Sequence, residues 1–197
     1  MNSGITKFFE GFEKNPPAEL AKIREVVKAI NLDLPSDYLE IFSFMNGGEG
    51  FIGENYCRLY PLDELVSLNE SFSVKEFVPD IFVFGSNGGG EAFAFDTANS
   101  PYAIVKIPFI PMDLDFIDLI GKTVSEFFSS FSTSEKSNLL QINRDLIGKE
   151  IHERHPIVFG GDPIDTNNKA YVPTKKYAEL VVFWNKIWQS RKTGVAK

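Results

Sequence analysis

The feature that most constrains the fold is a run of turn residues, Gly85-Ser-Asn-Gly-Gly-Gly90, between two short aromatic segments. Phe82-Val-Phe84 precedes the run and Phe93-Ala-Phe95 follows it, and both segments are typical of strands. Glycine adopts the positive φ angles that turns require. The pattern therefore predicts a β-hairpin with a broad glycine turn.

The same run could be taken for a nucleotide-binding loop, but its spacing and its context disagree with that interpretation. It does not fit the dinucleotide fingerprint, and no Lys-Ser or Lys-Thr follows it as a phosphate loop requires. Phosphate-binding loops open a helix, whereas the residues after this run predict a strand. Glu91 would also place a carboxylate beside any bound phosphate. We expect no cofactor here.

Apolar spacing predicts helices on both sides of a strand-rich middle. The first helix is expected over 16–30 with Asn15 as its cap, and the second from residue 35 or 36 to Asn46. Strands are expected at 56–60, 81–84, 92–95 and 102–107, with a short helix at 62–68. Later helices are expected at 124–131, within 134–155 and over 174–189. Helices, then strands, then helices predict an α+β fold rather than an alternating α/β fold.

The charge of the chain is distributed unevenly. The net charge is −7, but residues 31–120 hold three basic and fifteen acidic side chains, a net charge of −12, and residues 121–197 carry +4. Binding to phosphates needs clustered Lys and Arg, so this chain is a poor candidate for a nucleic-acid binder. A one-sided acidic segment attracts basic proteins. A merely solubilising face is the alternative.

The compartment is predicted from cysteine usage and hydropathy. The single cysteine, Cys57, excludes an internal disulfide framework and fits a reducing compartment. Charged residues or prolines interrupt every apolar stretch before it reaches membrane-spanning length, and the first residues lack a signal-peptide core. We expect a soluble cytoplasmic protein with no membrane partner.

One enzymatic alternative involves Cys57 with His152 or His155 as a nucleophile–base pair. A free cysteine in a strand is more often a small buried hydrophobe. The two histidines are three residues apart, whereas the zincin pattern needs four, and no spacing selects further metal ligands. We therefore expect no metal and place His155 at a helix end.

Four stretches occur in family-like order and carry a resemblance. They are Leu34-Pro-Ser-Asp-Tyr-Leu-Glu-Ile-Phe42 with Asn46-Gly47-Gly48, Leu59-Tyr-Pro-Leu-Asp-Glu-Leu65, Phe84-Gly-Ser-Asn-Gly-Gly-Gly-Glu-Ala-Phe-Ala-Phe-Asp96, and Ser125-Glu-Phe-Phe-Ser-Ser-Phe131. With them, residues 10–131 resemble the SUKH superfamily, which includes the Smi/Knr-type cell-wall assembly regulators of fungi and many bacterial relatives.

The resemblance implies a central, mostly antiparallel or mixed sheet flanked by helices. It implies a SUKH-like domain over 1–131, with a helical C-terminal extension over 132–197 packed on the same domain. It further implies no enzymatic activity and the role of a bacterial immunity protein, which binds and neutralises a co-encoded secreted toxin, often a nuclease. A regulatory scaffold is the alternative within the family.

The binding surface cannot be taken from family motifs, so it is predicted from the acidic segment. We expect acidic residues in loops or at turn edges to meet a basic surface of the toxin, with exposed aromatic residues as anchors. The predicted partner-binding residues are Glu49, Phe51, Glu54, Tyr56, Asp80, Glu91 and Asp96. The 27 aromatic side chains are compatible with a monomer or a homodimer.

Overall fold

The computed structural model of the protein describes residues 3–133 and 146–194. Its main element is a seven-stranded antiparallel sheet whose strands lie side by side in chain order. The strands are β1 (Glu13–Lys14), β2 (Gly48–Ile52), β3 (Asn55–Leu59), β4 (Ile81–Ser86), β5 (Glu91–Asp96), β6 (Ala103–Pro108) and β7 (Asp118–Gly121). A separate hairpin pairs β8 (Lys149–Glu153) with β9 (Lys169–Pro173). The predicted α+β class is confirmed.

Helices precede, interrupt and follow the strands. They are α1 (Ser3–Thr6), α2 (Leu20–Ile30), α3 (Ser36–Phe44), α4 (Leu65–Ser71), α5 (Val74–Phe77), α6 (Val124–Thr133) and α7 (Thr174–Lys192), with short 3-10 turns between several elements. The four expected strands and the helices expected at 124–131 and 174–189 are confirmed. In the described ranges, no helix combines the length and the apolar content needed to cross a lipid bilayer.

The glycine hairpin forms as predicted, with β4 and β5 as its strands. The turn is held by Asn87, whose Oδ1 accepts hydrogen bonds from the Gly89 and Glu91 backbone N–H groups at 2.8 and 3.0 Å. Gly85 lies so close to β3 that an added Cβ would come within 2.4 Å of the Arg58 carbonyl oxygen. The glycine at this position therefore lets β3 and β4 pair closely.

The two faces of the sheet are covered by different parts of the chain. Leu59, Gly85 and Phe93 lie opposite one another in β3, β4 and β5, and Phe93 contacts Phe127 of α6 with ring centroids 5.1 Å apart. Alternation places Arg58 and Ser86 on the other face. That face is covered by the β8–β9 hairpin and the start of α7. The extension thus lies on the sheet face opposite α6.

The first predicted helix begins four residues late. Residues 15–18 run alongside α3 instead, because the Asn15 side chain donates to the Asn46 carbonyl at 2.9 Å and Ala18 N–H donates to the Phe42 carbonyl at 2.8 Å. Asn15 therefore does not cap α2. In α2, Leu20 is exposed, whereas Ile23 and Val26 are buried.

The helix predicted within 134–155 is wrong over its last part. Residues 149–153 form β8, and residues 134–145 lie outside the described residues. Glu150, Ile151 and His152 are all buried, so β8 lacks the polar–apolar alternation that indicates a strand. Its strand conformation is stabilised by pairing with β9, in which Ile151 lies opposite Tyr171.

Helix α7 packs on the main core rather than on the hairpin alone. Tyr177, Ala178 and Val181 belong to the same buried cluster as the sheet residues. The buried Asn185 donates to the Phe109 carbonyl at 2.7 Å and accepts from the Met112 N–H at 2.6 Å. These two hydrogen bonds attach α7 to the chain that follows β6.

Candidate functional site

A buried ion-pair cluster joins the sheet to the β8–β9 hairpin. Arg58 Nη1 lies 3.4 Å from Glu150 Oε1 and donates a 2.9 Å hydrogen bond to Thr174 Oγ1, at the first residue of α7. Arg58 Nε lies 3.7 Å from Glu49 Oε2. One guanidinium therefore faces two carboxylates from two different parts of the chain.

The sheet supplies further donors to Glu150. Ser86 Oγ donates to Glu150 Oε1 at 2.8 Å, and Ser86 lies opposite Arg58 in the sheet register. The Ile151 N–H donates to the Gly88 carbonyl at 2.8 Å, so β8 runs against the glycine turn. Arg58 in β3 and Ser86 at the end of β4 thus point to the same side of the sheet, where β8 places the Glu150 carboxylate.

Burial controls the protonation of this cluster. Desolvation raises the pKa of Glu150 to about 7, although Arg58 and the Ser86 hydroxyl oppose the shift. Burial alone would lower the pKa of Arg58. The attraction of the Glu150 and Glu49 carboxylates is the larger effect, so the pKa lies above its usual range. Arg58 therefore stays charged, and Glu150 titrates near neutral pH.

Two polar side-chain atoms of β8 have no hydrogen-bond partner among the described residues. They are Glu150 Oε2 and Nδ1 of His152, both buried. Burial lowers the pKa of His152, which favours a neutral imidazole. Most of the cluster is covered by protein, and we interpret it as the attachment of the extension rather than as a reaction centre.

Glu49 and Tyr56, two predicted partner-binding residues, lie at the edge of this cluster. The Tyr56 hydroxyl donates to Glu49, and the Gly148 N–H donates to Glu49 Oε1 at 3.1 Å. Tyr56 is only 5% exposed because Leu146 and Ile151 pack against it, so the expectation of an exposed aromatic anchor is wrong at this position. Whether these residues influence partner binding stays a prediction.

Phe51 and Glu54 lie on and beside the β2–β3 turn. Phe51 is 41% exposed and stacks edge-on against Tyr56, with ring centroids 5.4 Å apart. Glu54 is exposed and follows Gly53, whose φ of +61° forms the turn. An exposed phenylalanine beside an exposed carboxylate is a composition suited to a protein contact.

The remaining predicted carboxylates fall into two separate places. Asp80 and Asp96 lie together at one end of the β4–β5 hairpin, where Ile81 pairs with Asp96. Glu91 lies at the opposite end of β5, roughly 17 Å away at the usual rise per residue. There it forms a 2.9 Å ion pair with Lys106. The seven predicted residues therefore do not form one continuous face.

The predicted pairing of Cys57 with His152 is wrong. Cys57 is fully buried in the main core on the Leu59 side of β3, whereas His152 lies in β8 on the other side of the sheet. Burial also strongly raises the pKa of the Cys57 thiol, which opposes formation of the nucleophilic thiolate. The sheet itself separates the two side chains.

His155 follows β8 and is exposed, so its expected position at a helix end is also wrong. It lines an open cleft of about 290 Å³ together with Asp162 and Asp165. Within the described residues, no three His, Cys, Asp or Glu side chains are grouped so that they could hold a metal ion.

Two features of the structure were not predicted from the sequence. The first is the Arg58–Glu150 pair, whose signal was a lone arginine within an apolar strand, since such a charge needs a carboxylate when buried. The second is a partly exposed aromatic strip whose rings contact one another at centroid distances of 5.0–6.3 Å. The strip consists of Phe116, Trp188, Phe159, Trp184 and Phe183.

The model of the SMI1 / KNR4 family (SUKH-1) matches residues 17–130, which is more than half of the chain. The match includes α2 to β7 and most of α6, and it ends before the β8–β9 hairpin and α7. None of the curated proteins matches the chain. Because the match covers more than half of the chain, from α2 into α6, the chain belongs to the SMI1 / KNR4 family (SUKH-1).

Proposed function

We propose that this protein is an immunity protein, which binds and neutralises a secreted toxin encoded beside it. The observation that carries the proposal is the family match over residues 17–130, since members of this family are consistent with immunity or regulatory binding proteins. The Gly88-Gly-Gly-Glu91 stretch forms the hairpin turn, and Glu91 forms an ion pair with Lys106. A stretch that forms a turn and an ion pair has a structural role, which favours a binding protein over an enzyme.

The partner is a protein with a basic surface. In the segment of net charge −12, Glu54 and Asp80 are exposed carboxylates and Phe51 is an exposed ring. Charges of this kind mainly accelerate association, whereas a few desolvated contacts determine how tightly the complex holds. The inhibitor would block the toxin by covering its substrate cleft.

The test is co-expression with the product of each adjacent gene. We expect one neighbour to kill the host when expressed alone, and this protein to prevent the killing and to co-purify with that neighbour in a stoichiometric complex. An empty vector and an unrelated acidic protein of similar size serve as controls. Failure to rescue from any toxic neighbour would contradict the proposal.

A further inference from the structure

Helix α7 presents apolar side chains on two opposite faces. Its inner face, with Tyr177, Ala178 and Val181, is buried against the core. Its outer face carries Phe183, which is 56% exposed, flanked by the partly exposed Leu180 and Ile187. The outer face therefore holds a cluster of partly exposed apolar side chains.

The outer face continues into other apolar surface. Phe183 contacts Trp184, and Trp184 contacts Phe159 with ring centroids 5.0 Å apart. Single exposed apolar residues are ordinary, but a connected patch of aromatic rings on a monomer is typical of a protein contact. Trp and Phe are among the residues that protein interfaces favour.

The charges on α7 indicate what covers this face. Glu179 and Lys186 are both exposed, seven residues apart, on one side of Phe183. Leu180 and Ile187 are also seven residues apart and lie on its other side, since seven residues make about two helical turns. Phe183 is midway along the helix between the members of each pair.

This arrangement is self-complementary in an antiparallel helix pair. We propose that α7 packs against α7 of a second copy, about a two-fold axis at which the two Phe183 side chains meet. In that register Glu179 lies beside the partner's Lys186, and Leu180 lies beside the partner's Ile187. A two-fold axis creates each contact twice, so the one patch supplies both sides of the interface.

The proposal does not depend on the identity of any toxin. Within one copy Glu179 forms an ion pair with Lys176 one turn earlier, a contact between two exposed side chains. Such a pair contributes little, so Glu179 can exchange it for the partner's Lys186. An interface built on one helix and its aromatic neighbours is small, which predicts an equilibrium between monomer and dimer.

The test is sedimentation equilibrium on the full chain, from about 1 μM to about 1 mM. We expect a concentration-dependent dimer. Phe183→Asp should remain monomeric throughout, because it places two carboxylates at the axis. Glu179→Lys and Lys186→Glu should each weaken the dimer about tenfold, because each converts two attractions into two repulsions.

The double variant Glu179→Lys/Lys186→Glu should restore the dimer, because it rebuilds both pairs with the charges exchanged. Lys28→Glu, a charge reversal on α2, is the matched control and should dimerise like the wild type. Circular dichroism should show that all variants remain folded, since the altered side chains are exposed. A monomer at every concentration, a Phe183→Asp dimer as strong as the wild type, or a double variant as weak as the single ones would overturn the proposal.

Discussion

At the scale of the residue, Arg58 has the greatest influence on how the extension attaches. It is one of only three basic residues among positions 31–120, and it lies between apolar neighbours in β3. A buried guanidinium requires paired acceptors, and Glu49 and Glu150 supply them. A need for a partner could be inferred from the strand pattern. That Glu150 is this partner could not be inferred, because it lies 92 positions after Arg58.

The protonation of Glu150 makes the stability of the protein depend on pH. Its pKa is about 7 in the folded protein and near 4.5 when solvated, so the folded state holds the proton more tightly. Stability from this group is therefore fully present below pH 4.5 and decreases as the pH rises to about 7. We expect the unfolding free energy in urea to fall by ~3 kcal/mol over that range through this residue.

Glu150→Gln should remove this part of the pH dependence, because glutamine does not titrate. The control Glu64→Gln changes an exposed glutamate and should keep the wild-type profile. Urea unfolding at several pH values between 4.5 and 7 measures the effect. Profiles of wild type and Glu150→Gln that run parallel would contradict the assignment of the titration to this carboxyl.

At the scale of the element, periodicity predicted most helices and strands, and it failed where tertiary contacts replaced it. Strand β2 contains Gly48 and Gly50, which lack the side chains that indicate a strand. The close approach of β1 requires Gly48, and the close approach of residues 11–12, just before β1, requires Gly50. Strand β8 lies where a helix was predicted. It is buried on both faces, so its sequence lacks the alternation that indicates a strand. In both cases the pairing strand, not the local pattern, decides the conformation.

The attachment of α7 depends on a polar residue that its apolar pattern did not single out. Asn185 is buried, and its side chain satisfies the Phe109 carbonyl and the Met112 N–H. Asn185→Ala would leave both backbone groups without these partners, and should destabilise the protein by ~2–4 kcal/mol in urea unfolding. The control Ser190→Ala alters an exposed position on the same helix. A loss under ~1 kcal/mol would contradict the proposed role.

At the scale of the whole molecule, the acidic segment becomes several separate groups of charge. Glu49 and Glu91 are paired with Arg58 and Lys106, and Asp80 and Asp96 lie at the far end of β5 from Glu91. The net charge of −12 therefore overstates the acidity of any one surface. The carboxylates to test against a partner are the exposed Glu54 and Asp80, together with the half-buried Asp96 beside Asp80.

Reversing Glu54, Asp80 and Asp96 together to lysine should slow association with the co-encoded toxin by about tenfold at low salt, with a smaller effect at high salt. Stopped-flow or surface plasmon resonance measures the rate. The control triple reversal of Glu10, Glu19 and Glu25 changes the net charge equally, outside the acidic segment. If the control slows association as much, the effect comes from the overall charge and the predicted residues are not the contact.

The sequence by itself determined the α+β class, the glycine hairpin and the family, because turns, caps and apolar periodicity are local properties that each segment carries within itself. Only the tertiary structure decided that Tyr56 is covered, that Cys57 and His152 lie on opposite faces of the sheet, and that Arg58 meets Glu150. Those outcomes depend on where residues 146–194 pack. Contacts between segments that are distant in the chain leave no periodic signal in either segment, so only the folded arrangement shows them.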